Sequence, residues 1–147
     1  MNIPFIDLTS QQQKIRSEID ARIKNVLEHG KYIMGPEIEE LESVLSKRVD
    51  AKYVISCSSG TDALLLALMG LQLKPGQGVI VPSFTFTASA EVMPLLGAIP
   101  IFAEVDEETF TLNPARLQDA LDSAIKSSIE VGGIMSVGLF GQPADMN

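Results

Sequence analysis

The chain has 147 residues, 46% of them apolar and 20% charged, which suits one domain with a real core and excludes a disordered segment. Acidic residues outnumber basic ones 19 to 11, for a formal net charge of -8. That balance works against nucleic acid and anionic membrane, and the longest apolar run, Ala63–Met69, is too short to span a bilayer.

After an extended start at Ile3–Leu8, Thr9 or Ser10 is placed to cap a helix reaching about His29. Ile15, Ile19, Ile23, Val26 and Leu27 share one face of it, and Gly30 is its stop. Pro36 sits where a first helical residue should, and Ile38, Leu41 and Leu45 form a second apolar stripe. Tyr53–Cys57 then reads as a buried strand, Ser58–Thr61 as a tight turn, and Asp62–Met69 as a helix apolar nearly all round, ended by Gly70. Val79–Val81 reads as a short strand, with a helix around Thr87–Leu96 in which Pro94 is a kink. A strand follows at Ile99–Val105, then a helix capped by Asn113 with Pro114 at its first position, and a last strand at Gly132–Val137. Strands alternating with helices imply a parallel α/β sheet. No linker divides the chain. Residues 1–50 read as a helical segment and 51–147 as a partial α/β domain in one structural unit.

Three segments carry polar chemistry at strand ends, where open α/β sheets bind ligands. In Cys57-Ser58-Ser59-Gly60-Thr61-Asp62, a strand runs through small residues into a helix. The Thr61 and Asp62 amides would face outward with the positive helix end behind them, and Gly60 would let a phosphate approach. The same composition fits a plain helix cap equally well. Phe84 and Phe86 in Pro82-Ser83-Phe84-Thr85-Phe86 could offer a ring to a planar cofactor, although taken alone they fit a core better. Gln142 and Asp145, after the last strand, form a weaker third site. His29, the only histidine, fits a favourable dipole interaction at a helix end. Cys57 has no disulfide partner and no Cys/His spacing suggests a metal. The opening MNIPFIDLTSQQQ is not a secretory leader, so a reducing cytoplasm is expected.

Taken in order, Gly35-Pro36-Glu37, Ser59-Gly60-Thr61-Asp62-Ala63-Leu64, Pro82-Ser83-Phe84-Thr85-Phe86, Gly97-Ala98-Ile99-Pro100, Asp106–Leu112 and Gly141–Met146 resemble the DegT/DnrJ/EryC1/StrS aminotransferases, which make amino sugars on nucleotide carriers. The resemblance implies the aspartate-aminotransferase fold (the fold type I large domain that binds pyridoxal 5'-phosphate), truncated here after about four strands. It implies that Gly60, Thr61 and Asp62 hold the cofactor phosphate, that Phe86 stacks on the pyridine ring, and that Gln142 lies near the mouth of the site. The lysine that forms the Schiff base is expected beyond Asn147, so no catalytic residue is assigned and this chain alone is expected to be inactive. The implied activity is transfer of an amino group, from glutamate, to a ketone on a nucleotide-linked sugar for surface polysaccharide or secondary metabolism. A homodimer would complete each site. A sugar dehydratase of the same family and a non-catalytic phosphate-binding remnant are the alternatives. Gly138 stands where many relatives carry histidine. In that fold the first strand lies at the edge opposite the second and third. Tyr53–Cys57 should therefore either pair with Gly132–Val137 in a four-stranded sheet or leave an edge for a second chain, and association is the favoured outcome.

Overall fold

The computed structural model describes residues 5–146. The chain forms two compact units, Met1–Ser56 and Cys57–Asn147.

The first unit holds two helices, α1 (Leu8–His29) and α2 (Pro36–Val49). The cap of α1 is Asp7, not Thr9 or Ser10: its carboxylate accepts from the Ser10 amide at 3.0 Å, so the helix starts at Leu8 and the expected extended start does not reach that far. Ile3 and Pro4 lie outside the described residues. Gly30 ends α1 in the left-handed conformation (φ 66°), as the sequence predicts. Pro36 occupies the start of α2 behind Gly35. A side chain at Gly35 would collide with the Lys31 carbonyl oxygen, so only glycine fits there. Two polar contacts tie the helices together: Arg22 forks onto both oxygens of Glu40, and His29 Nε2 meets Glu37 at 3.0 Å. The Lys31 amide donates to His29 Nδ1, which puts the proton of a neutral ring on Nε2 and makes that nitrogen the donor to Glu37. The apolar stripes stay largely exposed, including Ile23, Leu27, Leu41 and Leu45.

The second unit contains α3 (Gly60–Gly70), β1 (Gly78–Pro82), α4 (Ala88–Leu95), β2 (Ile99–Ala103), α5 (Pro114–Lys126) and β3 (Val131–Ile134). The sheet is wholly parallel in the order β2-β1-β3. All five residues of β1 are buried, because it is central and covered on both faces. Val79 and Val81 point to one side and pack with Leu68 of α3 and Val92 and Met93 of α4. Ile80 points to the other, against Ile101, Ala103, Leu112 and the small faces Ala120 and Ala124 of α5. Burying each such aliphatic side chain stabilises the fold by about 1.5–3 kcal/mol. Pro94 lies in the last turn of α4, which ends one residue later. Asn113 caps α5 through the Ala115 amide at 3.0 Å, with Pro114 at the first position.

Two expectations fail here. Tyr53–Cys57 is not a strand: it pairs with no other segment, and Tyr53 and Ile55 are 73% and 81% exposed. The sheet among the described residues accordingly has three strands, not four, and β3 pairs with β1 alone. Valine- and isoleucine-rich sequence makes a strand only where an edge accepts its backbone, and neither edge of this sheet does. Instead the Ser56 amide and hydroxyl each donate to Glu42 at 2.8 Å.

Candidate functional site

Because β1, β2 and β3 are parallel, the loops that follow them gather at one end of the sheet. Helix α3 returns into β1 through a short turn and packs on the same face as α4, so its N-terminus is directed to that same end.

Ser59, extended at φ -159° and ψ 166°, caps α3. Its hydroxyl accepts from the Asp62 amide at 3.1 Å and its carbonyl from the Ala63 amide at 3.0 Å. The first two amides of the helix, those of Gly60 and Thr61, have no acceptor among the described residues, nor does the Thr61 hydroxyl. A side chain at Gly60 would meet nothing within 4 Å, so the backbone of the turn is open on that side. Two amides, a hydroxyl and the positive end of an 11-residue helix form a donor set that suits the phosphate of pyridoxal phosphate. Asp62 differs from the expectation. Its amide is already taken by Ser59 and its carboxylate accepts from the Ser58 hydroxyl, so in this structure it closes the turn.

Phe84 and Phe86 are 50% and 71% exposed and belong to neither core cluster of this unit. The strand ends at Pro82, and bends follow at Ser83–Thr85. Phe86 has no aromatic neighbour among the described residues, whereas Phe84 leans on Phe110 with ring centroids 5.7 Å apart. Gln142 is exposed, just past the single turn Leu139–Gly141. Phe110 and Phe140, which sequence reasoning passed over, meet edge to face at 5.8 Å. The available signal was an aromatic residue in each of the three loops that follow the strands.

A cavity of about 680 Å³ opens beside these loops, lined by Ser83, Phe84, Glu104, Asp106, Phe110 and Arg116 among others. It contains none of Gly60, Thr61 or Phe86. Its walls carry carboxylates, and Arg116 is engaged by Asp119 at 3.2 Å, so its charge is wrong for a phosphate ester. The donor groups suited to an anion lie at the α3 turn and not in this cavity. All seven lysines (Lys14, Lys24, Lys31, Lys47, Lys52, Lys74 and Lys126) are exposed on helices or loops. No helix among the described residues is long and apolar enough to cross a membrane.

Comparison with known proteins places this geometry in a lineage. The UDP-2-acetamido-2-deoxy-3-oxo-D-glucuronate aminotransferase of Pseudomonas aeruginosa is 47% identical over 145 residues, which cover 99% of this chain and 39% of that protein. A crystal structure of a DegT DnrJ EryC1 StrS aminotransferase from Brucella abortus superposes with a TM-score of 0.93 at 41% identity, over 98% of this chain and 39% of that one. NtdA of Bacillus subtilis, solved with its cofactor PMP bound, gives a TM-score of 0.86 at 32% identity, over 99% and 32% of the respective chains. The fold is that of the fold type I aminotransferases, and this chain spans about two-fifths of the length of the curated relatives it matches. The model of the DegT/DnrJ/EryC1/StrS aminotransferase family matches residues 13–147, and the chain belongs to that family.

Proposed function

We propose that this chain is the cofactor-phosphate and ring-stacking part of a pyridoxal-phosphate-dependent aminotransferase that transfers an amino group, from glutamate, to a nucleotide-linked keto sugar. The observation that carries the reading is the pair of unpartnered amides at Gly60 and Thr61, beside the free Thr61 hydroxyl, in a chain whose relatives are sugar aminotransferases. In the bound state, pyridoxal phosphate supplies an electron sink for the carbanion formed at the amino-bearing carbon. Within this chain, Gly60 and Thr61 donate to the phosphate and hold that end of the cofactor fixed. Phe86 offers a ring face for stacking, which orients the cofactor plane and excludes water from one side. Asp62 supports them by holding the Ser58 hydroxyl at the turn. The seven lysines are all exposed on the surface, and none is assigned a part in attack on a carbonyl. Residues 1–147 are therefore assigned binding and orientation, with turnover needing more than they supply. A cytoplasmic homodimer completes the proposal.

The experiment is a titration of the ¹⁵N-labelled chain with inorganic phosphate and with pyridoxal phosphate. Saturable shifts centred on the Gly60 and Thr61 amides are expected with both ligands, and on Phe86 with the second only. Shifts scattered over the lysine-bearing surface, or none, would overturn the assignment. Borohydride reduction of the second mixture should label no single lysine stoichiometrically.

A further inference from the structure

Phe84, Phe110 and Phe140 belong to neither apolar core and are 50%, 41% and 78% exposed, so burial does not account for their association. Each comes from a different loop at the carboxyl end of the sheet: Phe84 after β1, Phe110 after β2, Phe140 after β3. Since β1 lies between β2 and β3, the contact between Phe110 and Phe140 reaches across the end of the central strand. Phe110 is the hub, tilted 46° against Phe84 and edge-on at 90° to Phe140. Phe110 and Phe140 also both sit at positive φ, 57° and 60°. That region disfavours bulky residues, and such conformations persist where surrounding contacts over-determine them.

The three loops are not equally well held. The segment around Phe110 is a braced turn. Asp106 Oδ1 accepts from the Glu108 and Thr109 amides at 3.0 and 2.9 Å, the Phe110 amide donates to the Asp106 carbonyl at 2.9 Å, and Val105 bridges Leu112. Ser83–Thr87 is held only at its ends: the Ser83 amide on the Ala103 carbonyl at 2.8 Å and its hydroxyl on Glu104 at 3.2 Å, Thr85 with Ser89 at 3.2 Å, and the Phe86 and Thr87 carbonyls accepting from the first amides of α4. Between them the amides of Phe84, Thr85 and Phe86 have no acceptor among the described residues. Phe84 thus rests on a rigid post, and Phe86 lies two residues beyond it.

We infer that Phe110 is a positioning residue: it fixes the Ser83–Thr87 loop through Phe84, with Phe140 holding its other side, and thereby sets where the ring of Phe86 is presented. The inference rests on the proposed function for the role of Phe86, but the locking of the loop is testable without any ligand.

Amide hydrogen exchange is measured on the 147-residue chain and on Phe110→Ala, Phe110→Tyr and Phe140→Ala. The informative amides are Ser83 and two of those that bond the loop carbonyls, Ser89 to Phe86 and Ala90 to Thr87. Expected is roughly three- to tenfold faster exchange at these sites in both alanine variants, the scale of one aromatic contact, with β1 unchanged and Phe110→Tyr close to the parent. Phe140→Ala is the stricter variant, since Phe140 lies outside the loop being read and outside the braced turn. Unchanged exchange at Ser83, Ser89 and Ala90 would overturn the inference, as would loss of protection throughout β1, which would make the cluster part of the general packing. In a second arm, Phe110→Ala should weaken pyridoxal phosphate binding and leave inorganic phosphate binding as it was. A parent chain that binds neither ligand sinks the proposed function while leaving the exchange result to decide the positioning role.

Discussion

Replacing Gly60 with proline separates the proposed anion site from the helix that carries it. Gly60 is the first residue of α3, where proline is well tolerated because that amide has no helical acceptor. Pro36 and Pro114 already stand at the starts of α2 and α5. Ser59 is extended, as a residue before proline must be, and a side chain at position 60 enters open space. The substitution should therefore stabilise the fold by about 0.4–1 kcal/mol through the unfolded chain. It also removes one of the two free amides. A hydrogen bond to a charged acceptor contributes about 1.5–3 kcal/mol, so phosphate affinity should fall by roughly 10- to 150-fold. Thermal melting and calorimetric titration with inorganic phosphate would then move in opposite directions. Gly60→Ala, which keeps the amide, should bind nearly as the parent does. Unaltered phosphate affinity in Gly60→Pro would refute the donor assignment, and an equal loss in Gly60→Ala would show that the effect is steric.

Other substitutions test the fold beneath the site. Gly78→Ala should cost about 1–3 kcal/mol by overpacking, since its new methyl group would overlap the Ile101 side chain and lie 2.9 Å from Ile129 Cγ2; urea unfolding should show partial rescue by Ile101→Val. Ile80→Ala, at a fully buried position in the central strand, should cost about 2–5 kcal/mol by the same measurement. Hydrogen bonds from the Ser56 amide and hydroxyl hold the Glu42 carboxyl below its ordinary pKa. The stabilisation is thus fully present above the unfolded value of about 4.3 and is lost as pH falls through the lower folded value. Urea midpoints measured from pH 6 down to pH 3 should drop less steeply in Glu42→Gln than in the parent, and identical slopes would show that Glu42 does not couple to folding.

What could be read in the sequence follows from the range of the forces involved. The starts of α2 and α5 and the end of α1 are set by proline, asparagine and glycine acting within a few residues, and all three stand where the sequence puts them. Strand identity at Tyr53–Cys57 depends on a distant partner, and local composition carries no information about whether one exists. The α3 turn was legible as a phosphate-type cap, but a cap and an anion compete for the same amides. Only the geometry shows that Ser59 takes Asp62 and leaves Gly60 and Thr61. Phe84 and Phe86 look like core residues by type, and their exposure follows from the strand stopping at Pro82. The contact among Phe84, Phe110 and Phe140 joins residues far apart in sequence, two of them at backbone angles no propensity would assign.

The strand order also sets an order of assembly. β1 meets β2 across a single short helix, α4, in an unbroken register from Gly78–Ile99 to Pro82–Ala103. β3 can join only after the chain has passed through β2 and α5, and it does so with a register shift beside Gly78. Longer closures cost more entropy before their contacts form, so β3 should dock last. In a pulse-labelled refolding experiment, the Ile99 amide on Gln77 and the Ser83 amide on Ala103 should gain protection before the Met135 amide on Ile80. Phe140 lies just beyond β3 and reaches its place only once that strand has docked. The corner that aims Phe86 is therefore the last part of the unit to be built and the first to open when the sheet loosens.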